Sequence, residues 1–206
     1  MVKLYDIVKY PISSGSTPKA RDEAYYTNSE TGIPFVRATD IENNRINETD
    51  YIYIKHEVHN TVLKKTKLLK NDILFSIAGT EGRCGIFEHN YQANINQACA
   101  IIRIDEKIIK RDYFCLFFNS RIGKLYIEKF ARQGVQTNLN LDEVNSLEIP
   151  IIPFAKQQEL SQQIQDSFKL RKESEKLIEL AKQAVETAIE KNEESAMELI
   201  RSNVDI

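Results

Sequence analysis

LEIPIIPFAKQQEL, residues 147–160, is where the chain changes character. All seven glycines and all five prolines (Pro11, Pro18, Pro34, Pro150 and Pro153) lie at or before its second proline, and neither residue type occurs afterwards. Glycine and proline supply the backbone conformations of turns, and both are poor in a helix interior. The division therefore predicts a turn-rich domain over residues 1–153. It also predicts an uninterrupted helical segment within residues 154–206.

Upstream of the boundary the strand signals are short and frequent. Residues 33–38 (IPFVRA), 51–54 (YIYI), 73–78 (ILFSIA), 84–88 (CGIFE) and 98–104 (ACAIIRI) concentrate β-branched and aromatic side chains. Residues 147–152 close the domain as a last short strand or extended entry segment. Helices are expected at residues 3–10, 56–65 and 111–130. In the last of these Phe114, Phe117, Phe118, Ile122, Leu125, Tyr126 and Lys129 follow a three-to-four spacing. The predicted class is α+β, with short mixed strands and helices in a globular head and a long coiled-coil-type helix behind it.

Downstream, residues 156–191 form one amphipathic pattern. Ile164, Ser167, Arg171, Ser174, Ile178, Ala181, Val185 and Ala188 alternate at three and four, flanked by Phe168, Leu177 and Ala184. At 1.5 Å per residue this helix is about 54 Å long, more than a small domain can cover. Its stripe calls for another helix, supplied by a second molecule. The alternative is a fold-back of residues 192–206, where Ala196, Leu199 and Ile200 offer a short apolar face.

Charge says little about partners. Residues 1–150 carry 20 Lys and Arg against 19 Asp and Glu, and residues 151–206 carry 8 against 11, giving the net −2. A nucleic-acid binder usually shows a basic bias, so any affinity of that kind rests on a local face or on a partner's phosphate contacts. Cys84, Cys99 and Cys115 are odd in number and 15 and 16 residues apart, which fits neither a disulfide framework nor a zinc site. They read as buried or half-buried thiols of a reducing compartment. No apolar run approaches a membrane span, and the N-terminus lacks a signal-peptide pattern; the cytoplasm is the expected location.

Catalytic motifs fail one by one. In His56-Glu57-Val58-His59 the histidines are three apart, whereas a zinc helix needs them at i and i+4; the reading is solvated polar residues on a helix. Asp105-Glu106-Lys107 reads as a surface turn, because a nuclease site needs another upstream carboxylate. Gly79-Thr80-Glu81-Gly82 lacks the Gly-Lys-Ser/Thr of a phosphate loop. No metal site and no catalytic residue is expected.

The remaining signals are ordered segments. They are Gly15-Ser16-Thr17-Pro18-Lys19, the run from Gly32 to Ile41, and Leu69 to Ser76 leading into Gly79-Thr80-Glu81-Gly82. Then come Asn94-Ile95-Asn96-Gln97, the stretch from Phe117 to Glu128, Gln133 to Leu139, and Ile149-Pro150-Ile151-Ile152-Pro153 with Gln157-Gln158. In this order they resemble the target recognition domain of Type I restriction–modification specificity subunits. The resemblance implies a head that reads one half of a bipartite DNA site, followed by a spacer helix. Full-length members have two heads and two helices; this chain has one of each. That is the pattern of a half-subunit that dimerises or of a fragment of a longer protein. The resemblance also implies modification and restriction subunits as partners. It places S-adenosylmethionine, ATP and Mg on those subunits, with no cofactor on this chain.

Base edges are read chiefly by Arg, Lys, Asn and Gln. The candidate contacts are Lys19 and Arg21, Arg37 and Thr39, Thr80 and Arg83, Asn96 and Gln97, and Arg132, Gln133, Gln136, Thr137 and Asn138. Thr137 or Asn138 is equally suited to capping the next helix. Lys64, Lys65, Lys67 and Lys70 form a basic cluster for phosphates or a solvated face. The partner-helix candidates are Ile164, Phe168, Leu177, Ile178, Ala181, Val185 and Ala188. An adaptor with a globular head, a coiled-coil tail and no nucleic-acid role is the alternative function.

Overall fold

The structure is a computed structural model that describes residues 1–19, 22–42, 44–79, 82–131 and 138–203. Its described residues divide into two compact units, Met1–Ser161 and Gln162–Ile206. No helix among them is long and apolar enough to cross a membrane.

In the first unit the strands are β1 (Val2–Lys3), β2 (Ser13–Ser14), β3 (Tyr26–Thr27), β4 (Ile33–Val36), β5 (Ile41–Glu42) and β6 (Asn44–Ile46). They continue as β7 (Ile52–Ile54), β8 (Asp72–Ser76), β9 (Cys84–Phe87), β10 (Asn94–Ile95), β11 (Cys99–Ile102) and β12 (Glu148–Ile149). The helices are α1 (His56–Asn60), α2 (Arg111–Asn119), α3 (Arg121–Ala131), α4 (Leu141–Ser146) and the first turns of α5 (Phe154–Glu190). A six-stranded sheet runs β2-β11-β8-β9-β6-β5, a four-stranded sheet runs β10-β4-β7-β3, and β1 pairs with β12.

Period-two alternation sorts the side chains into layers. From β8, β9 and β11, the side chains of Ile73, Phe75, Cys84, Ile86, Ala100 and Ile102 join a core with Phe114 and Phe118 of α2. Their neighbours Leu74, Phe87, Cys99 and Ile101 face the other way, onto Val36 and Ile95 of the four-stranded sheet. Ile33, Phe35 and Ile54 on that sheet's far side meet Val58 of α1 and Leu63. Strands covered on both faces lose the polar alternation of a half-exposed strand, which is why β8, β9 and β11 are buried throughout. Cys84, Cys99 and Cys115 are buried thiols as expected.

Three predicted helices take other forms. Residues 3–10 give only a 3-10 turn at Leu4–Asp6, because the Leu4 N–H donates to Leu147 O (2.8 Å) and the Lys9 N–H to Arg103 O (2.7 Å). Residues 56–65 stop at Asn60, where the Asn60 amide and Thr61 hydroxyl bond back to His56 O (2.9 Å) and Glu57 O (2.7 Å). Residues 111–130 split at Ser120, whose ψ is 161° and whose hydroxyl accepts from the Gly123 N–H (3.1 Å) to start α3.

The root of α5 is tied into the head by buried polar groups. Gln157 is fully buried; its Oε1 accepts from the Lys110 N–H (2.9 Å) and its Nε2 donates to Ile152 O (2.9 Å). Ser161 Oγ donates to Asp112 Oδ2 (2.5 Å), and Asp112 is paired with Arg45 (3.3 Å).

In the second unit, α5 continues to Glu190 and α6 spans Glu193–Asn203. Leu180, Ala184, Thr187 and Ala188 of α5 are covered, as are Ser195, Ala196, Leu199 and Ile200 of α6. These are one face of each helix on either side of a two-residue link. Leu170, Leu177, Ile178, Val185 and Ile189 stay exposed.

Candidate nucleic-acid interface

One end of the six-stranded sheet brings several described polar loops together. β8 ends at Ser76 opposite Cys99, where β11 begins; β9 begins at Cys84 opposite Phe75; and Ser14, ending β2, lies opposite Ala100. Among the described residues, 15–19, 77–79, 82–83 and 96–98 therefore lie at the same end of the sheet. A fourth segment joins them, because the Leu139 N–H donates to Ile77 O (2.9 Å). Lys19, Arg83, Gln97 and Asn138 are exposed there and Asn96 is half-buried.

Backbone atoms hold these loops together. The Gly15 N–H donates to Cys99 O (3.1 Å), the Gln97 N–H to Thr17 Oγ1 (3.3 Å) and the Ala98 N–H to Asn96 Oδ1 (3.2 Å). The Arg83 N–H donates to Ser76 Oγ (2.9 Å) and the Ser76 N–H to Arg83 O (2.9 Å). Gly15 lies so close to the neighbouring loop that a Cβ there would sit 2.1 Å from Asn96 O. Gly82, just before β9, has φ +81°, a region that L side chains rarely adopt.

The other candidates divide. Arg37 lies beside the interface, since the Asn96 N–H donates to Val36 O (3.0 Å). Its guanidinium is held by Asp40 (2.9 Å) and by Asp50 O (2.6 Å), while the Thr39 hydroxyl donates to Asp40 Oδ1 (3.2 Å). Arg37 and Thr39 thus build the turn after β4. Lys70 precedes β8 at the end away from Ser76, and Lys67, bridged to Asn94, donates its Nζ to Asn60 (2.6 Å). Arg21, Thr80, Arg132, Gln133, Gln136 and Thr137 lie outside the described residues. The cap of α4 is Asn140, two and three residues beyond the expected ones: its Oδ1 accepts from the Glu143 N–H (2.9 Å) and Glu143 returns the bond (2.7 Å).

Two features of this region were not read from sequence. His59 is buried, not solvated; its Nδ1 meets Asn94 Oδ1, and Asn94 Nδ2 donates to Leu63 O (2.8 Å). Asn94 Oδ1 can only accept, so His59 carries its proton on Nδ1, and burial pulls its pKa below the ordinary value. The second feature is a cavity of about 510 Å³ with Tyr26, Tyr51 and Tyr53 in its walls beside Thr17, Arg37 and Asn96. Among the described residues no cluster of three or more His, Cys, Asp or Glu is placed to hold a metal.

Residues 1–182 match the family described as Type I restriction modification DNA specificity domain. The chain belongs to that family. Specificity subunits of two Type I restriction enzymes are among the relatives it matches. The Type I restriction enzyme EcoBI specificity subunit of Escherichia coli is 26% identical over 137 residues, which cover 66% of this chain and 29% of that protein. The HsdS subunit from Thermoanaerobacter tengcongensis shares the fold with a TM-score of 0.54 at 18% identity, over 84% of this chain and 39% of that one. A chain from a structure of the type I R-M system, solved for its complex assembly and conformational transition, gives a TM-score of 0.55 at 16% identity. It covers 91% of this chain and 44% of that one. The chain thus spans less than half the length of these relatives, and the resemblance read from its ordered segments holds.

Proposed function

We propose that this chain is the sequence-reading component of a Type I restriction–modification assembly, and that it contacts one half of a bipartite DNA site. The observation that carries this reading is the convergence of separate loops, with exposed Lys19, Arg83, Gln97 and Asn138, at one end of the six-stranded sheet. Such side chains suit base edges and phosphates. Arg21, Thr80, Arg132, Gln133, Gln136 and Thr137 complete the contact set in this reading. Arg37 and Thr39 shape the wall beside it.

The head's charge limits what it does alone. Its first 150 residues carry a net charge of +1, so a modification subunit supplies most phosphate contacts. That subunit also carries S-adenosylmethionine, and a restriction subunit carries ATP and Mg; this chain holds no cofactor. The exposed apolar residues of α5, Leu177, Ile178 and Val185, pair with the same helix of a second copy. Two such copies, related by a two-fold axis, read a palindromic bipartite site in the cytoplasm.

Fluorescence anisotropy with duplex DNA across a salt series tests this, with the chain alone and with a modification subunit. Each neutralised phosphate adds about −0.9 to the slope of log K against log salt. Four cationic contacts, from Lys19, Arg21, Arg83 and Arg132, give roughly −4 for the isolated chain. The complex is expected to bind selectively and with a steeper slope. A chain with no salt-dependent binding in either state would instead be the adaptor.

A further inference from the structure

We propose that the cavity walled by Tyr26, Tyr51 and Tyr53 receives a single nucleobase swung out of the DNA duplex. This deepens the proposed function and rests on it, because two of the walls, Thr17 and Asn96, belong to loops of the reading end. The cavity and that end share a border.

Size and lining choose the ligand class. A volume of about 510 Å³ lies within the roughly 300–1,000 Å³ of small-molecule sites, enough for a base with its sugar. Aromatic walls are the usual surface for an unstacked base, since every base offers a π-face. The walls are also fixed. The Tyr26 hydroxyl donates to Pro18 O (3.1 Å), and the Tyr51 and Tyr91 hydroxyls lie 3.3 Å apart.

Charge argues against a phosphate. The Arg37 guanidinium is already neutralised by Asp40 (2.9 Å) and capped by Asp50 O (2.6 Å). The ligand is therefore a neutral planar group, placed against a guanidinium that is held still. The hydrogen-bonding inventory narrows it further. Thr17 Oγ1 and Asn96 Oδ1 each accept a backbone N–H, which leaves the Thr17 hydroxyl proton and the Asn96 amide nitrogen as donors. A donor-rich wall favours a base edge rich in acceptors, and guanine, with O6 and N7, fits best. Extrusion is least costly where the base is unpaired.

The test uses the full chain, with dGMP, dAMP, dCMP and dTMP as free probes followed by saturation-transfer NMR. Two duplexes complete the set, identical except that one places a guanine opposite an abasic site. Ile52→Trp fills the cavity from its rim, and Tyr53→Ala removes a wall. dGMP is expected to bind best of the four and at least tenfold more weakly to both variants. The duplex with the unpaired guanine is expected to bind more tightly than its matched twin, and Ile52→Trp to abolish that gain while leaving matched-duplex binding unchanged. Matched-duplex binding with no gain from the unpaired guanine overturns the pocket and spares the proposed function, whether or not dGMP binds. A gain that survives in Ile52→Trp also overturns the pocket. Binding of dGMP with no binding to any duplex overturns the proposed function instead.

Discussion

Gly15→Ala adds one methyl group where the two loops nearest the proposed reading end touch. The new Cβ would lie 2.1 Å from Asn96 O and 2.4 Å from Ile95 O, against an ordinary contact of 3.4 Å or more. Both obstacles are backbone, so the loops must separate by more than 1 Å. That movement breaks the bond from the Gly15 N–H to Cys99 O (3.1 Å) and strains the one from the Gln97 N–H to Thr17 Oγ1 (3.3 Å). Overpacking costs about 1–3 kcal/mol and a broken backbone bond about 1 kcal/mol more, which together give roughly 2–4 kcal/mol. With a urea slope of about 2 kcal/mol per molar, the midpoint should fall by about 1–2 M. Binding should change in kind as well: the salt-dependent component persists and discrimination among duplexes is lost, since Asn96 and Gln97 are displaced. Urea denaturation and competition anisotropy on the same preparation check both halves. A variant with the wild-type midpoint and wild-type discrimination would refute the packing argument.

Arg83 and Arg37 should part company on alanine substitution. Arg83→Ala leaves its backbone bonds to Ser76 intact and should change stability by less than about 0.5 kcal/mol, while altering duplex selectivity. Arg37→Ala strands the buried carboxylate of Asp40 and should cost about 2–3 kcal/mol; thermal melts of the two variants check the contrast. His59 gives a pH signature. Burial holds its folded-state pKa below 6.5, with Lys67 and His56 adding in the same direction, so the unfolded chain binds the proton first as pH falls. Stability should be full above about pH 7.5 and decline through 6.5 towards the depressed value. Urea midpoints at pH 8 and pH 5.5 measure the loss, and His59→Gln should flatten it. On α5, Ile178→Glu with Val185→Glu should abolish self-association in sedimentation velocity while leaving the head's melting unchanged, because both side chains are more than half exposed.

What could be read from sequence was what depends on local chemistry. Proline and glycine placement located α5, and β-branched clusters located β4, β7, β8, β9 and β11 to within a few residues. The failures are tertiary. Ser120 interrupts an apolar rhythm that runs unbroken through residues 111–130, and a single hydroxyl is a weak signal against that pattern. Residues 3–10 satisfy a helix pattern, yet Leu4 and Lys9 donate to residues more than 90 positions away. His59 looked solvated because its partner, Asn94, is 35 residues distant. The tyrosine cavity was invisible for the same reason: Tyr26, Tyr51 and Tyr53 meet Thr17 and Asn96 only when two sheets end together.

The interface itself was half legible, and the reason lies in how its loops are anchored. Residues 15–19, 77–79, 82–83 and 94–98 are fastened through backbone N–H and C=O groups, with short side chains such as Ser76, Thr17 and Asn96 completing the bonds. The longer side chains of Lys19, Arg83 and Gln97 take no part in that fastening. Exposed positions that carry no packing can change with little effect on stability, so one scaffold can present many different contact sets. Such positions also leave no periodic or compositional trace, which is why they were chosen by chemistry and loop placement alone. Arg37 meets the same chemical criterion but is tied to a buried carboxylate, so its place in the head is structural first. Anchoring by backbone thus separates the residues that hold the reading end together from those free to specify what it reads.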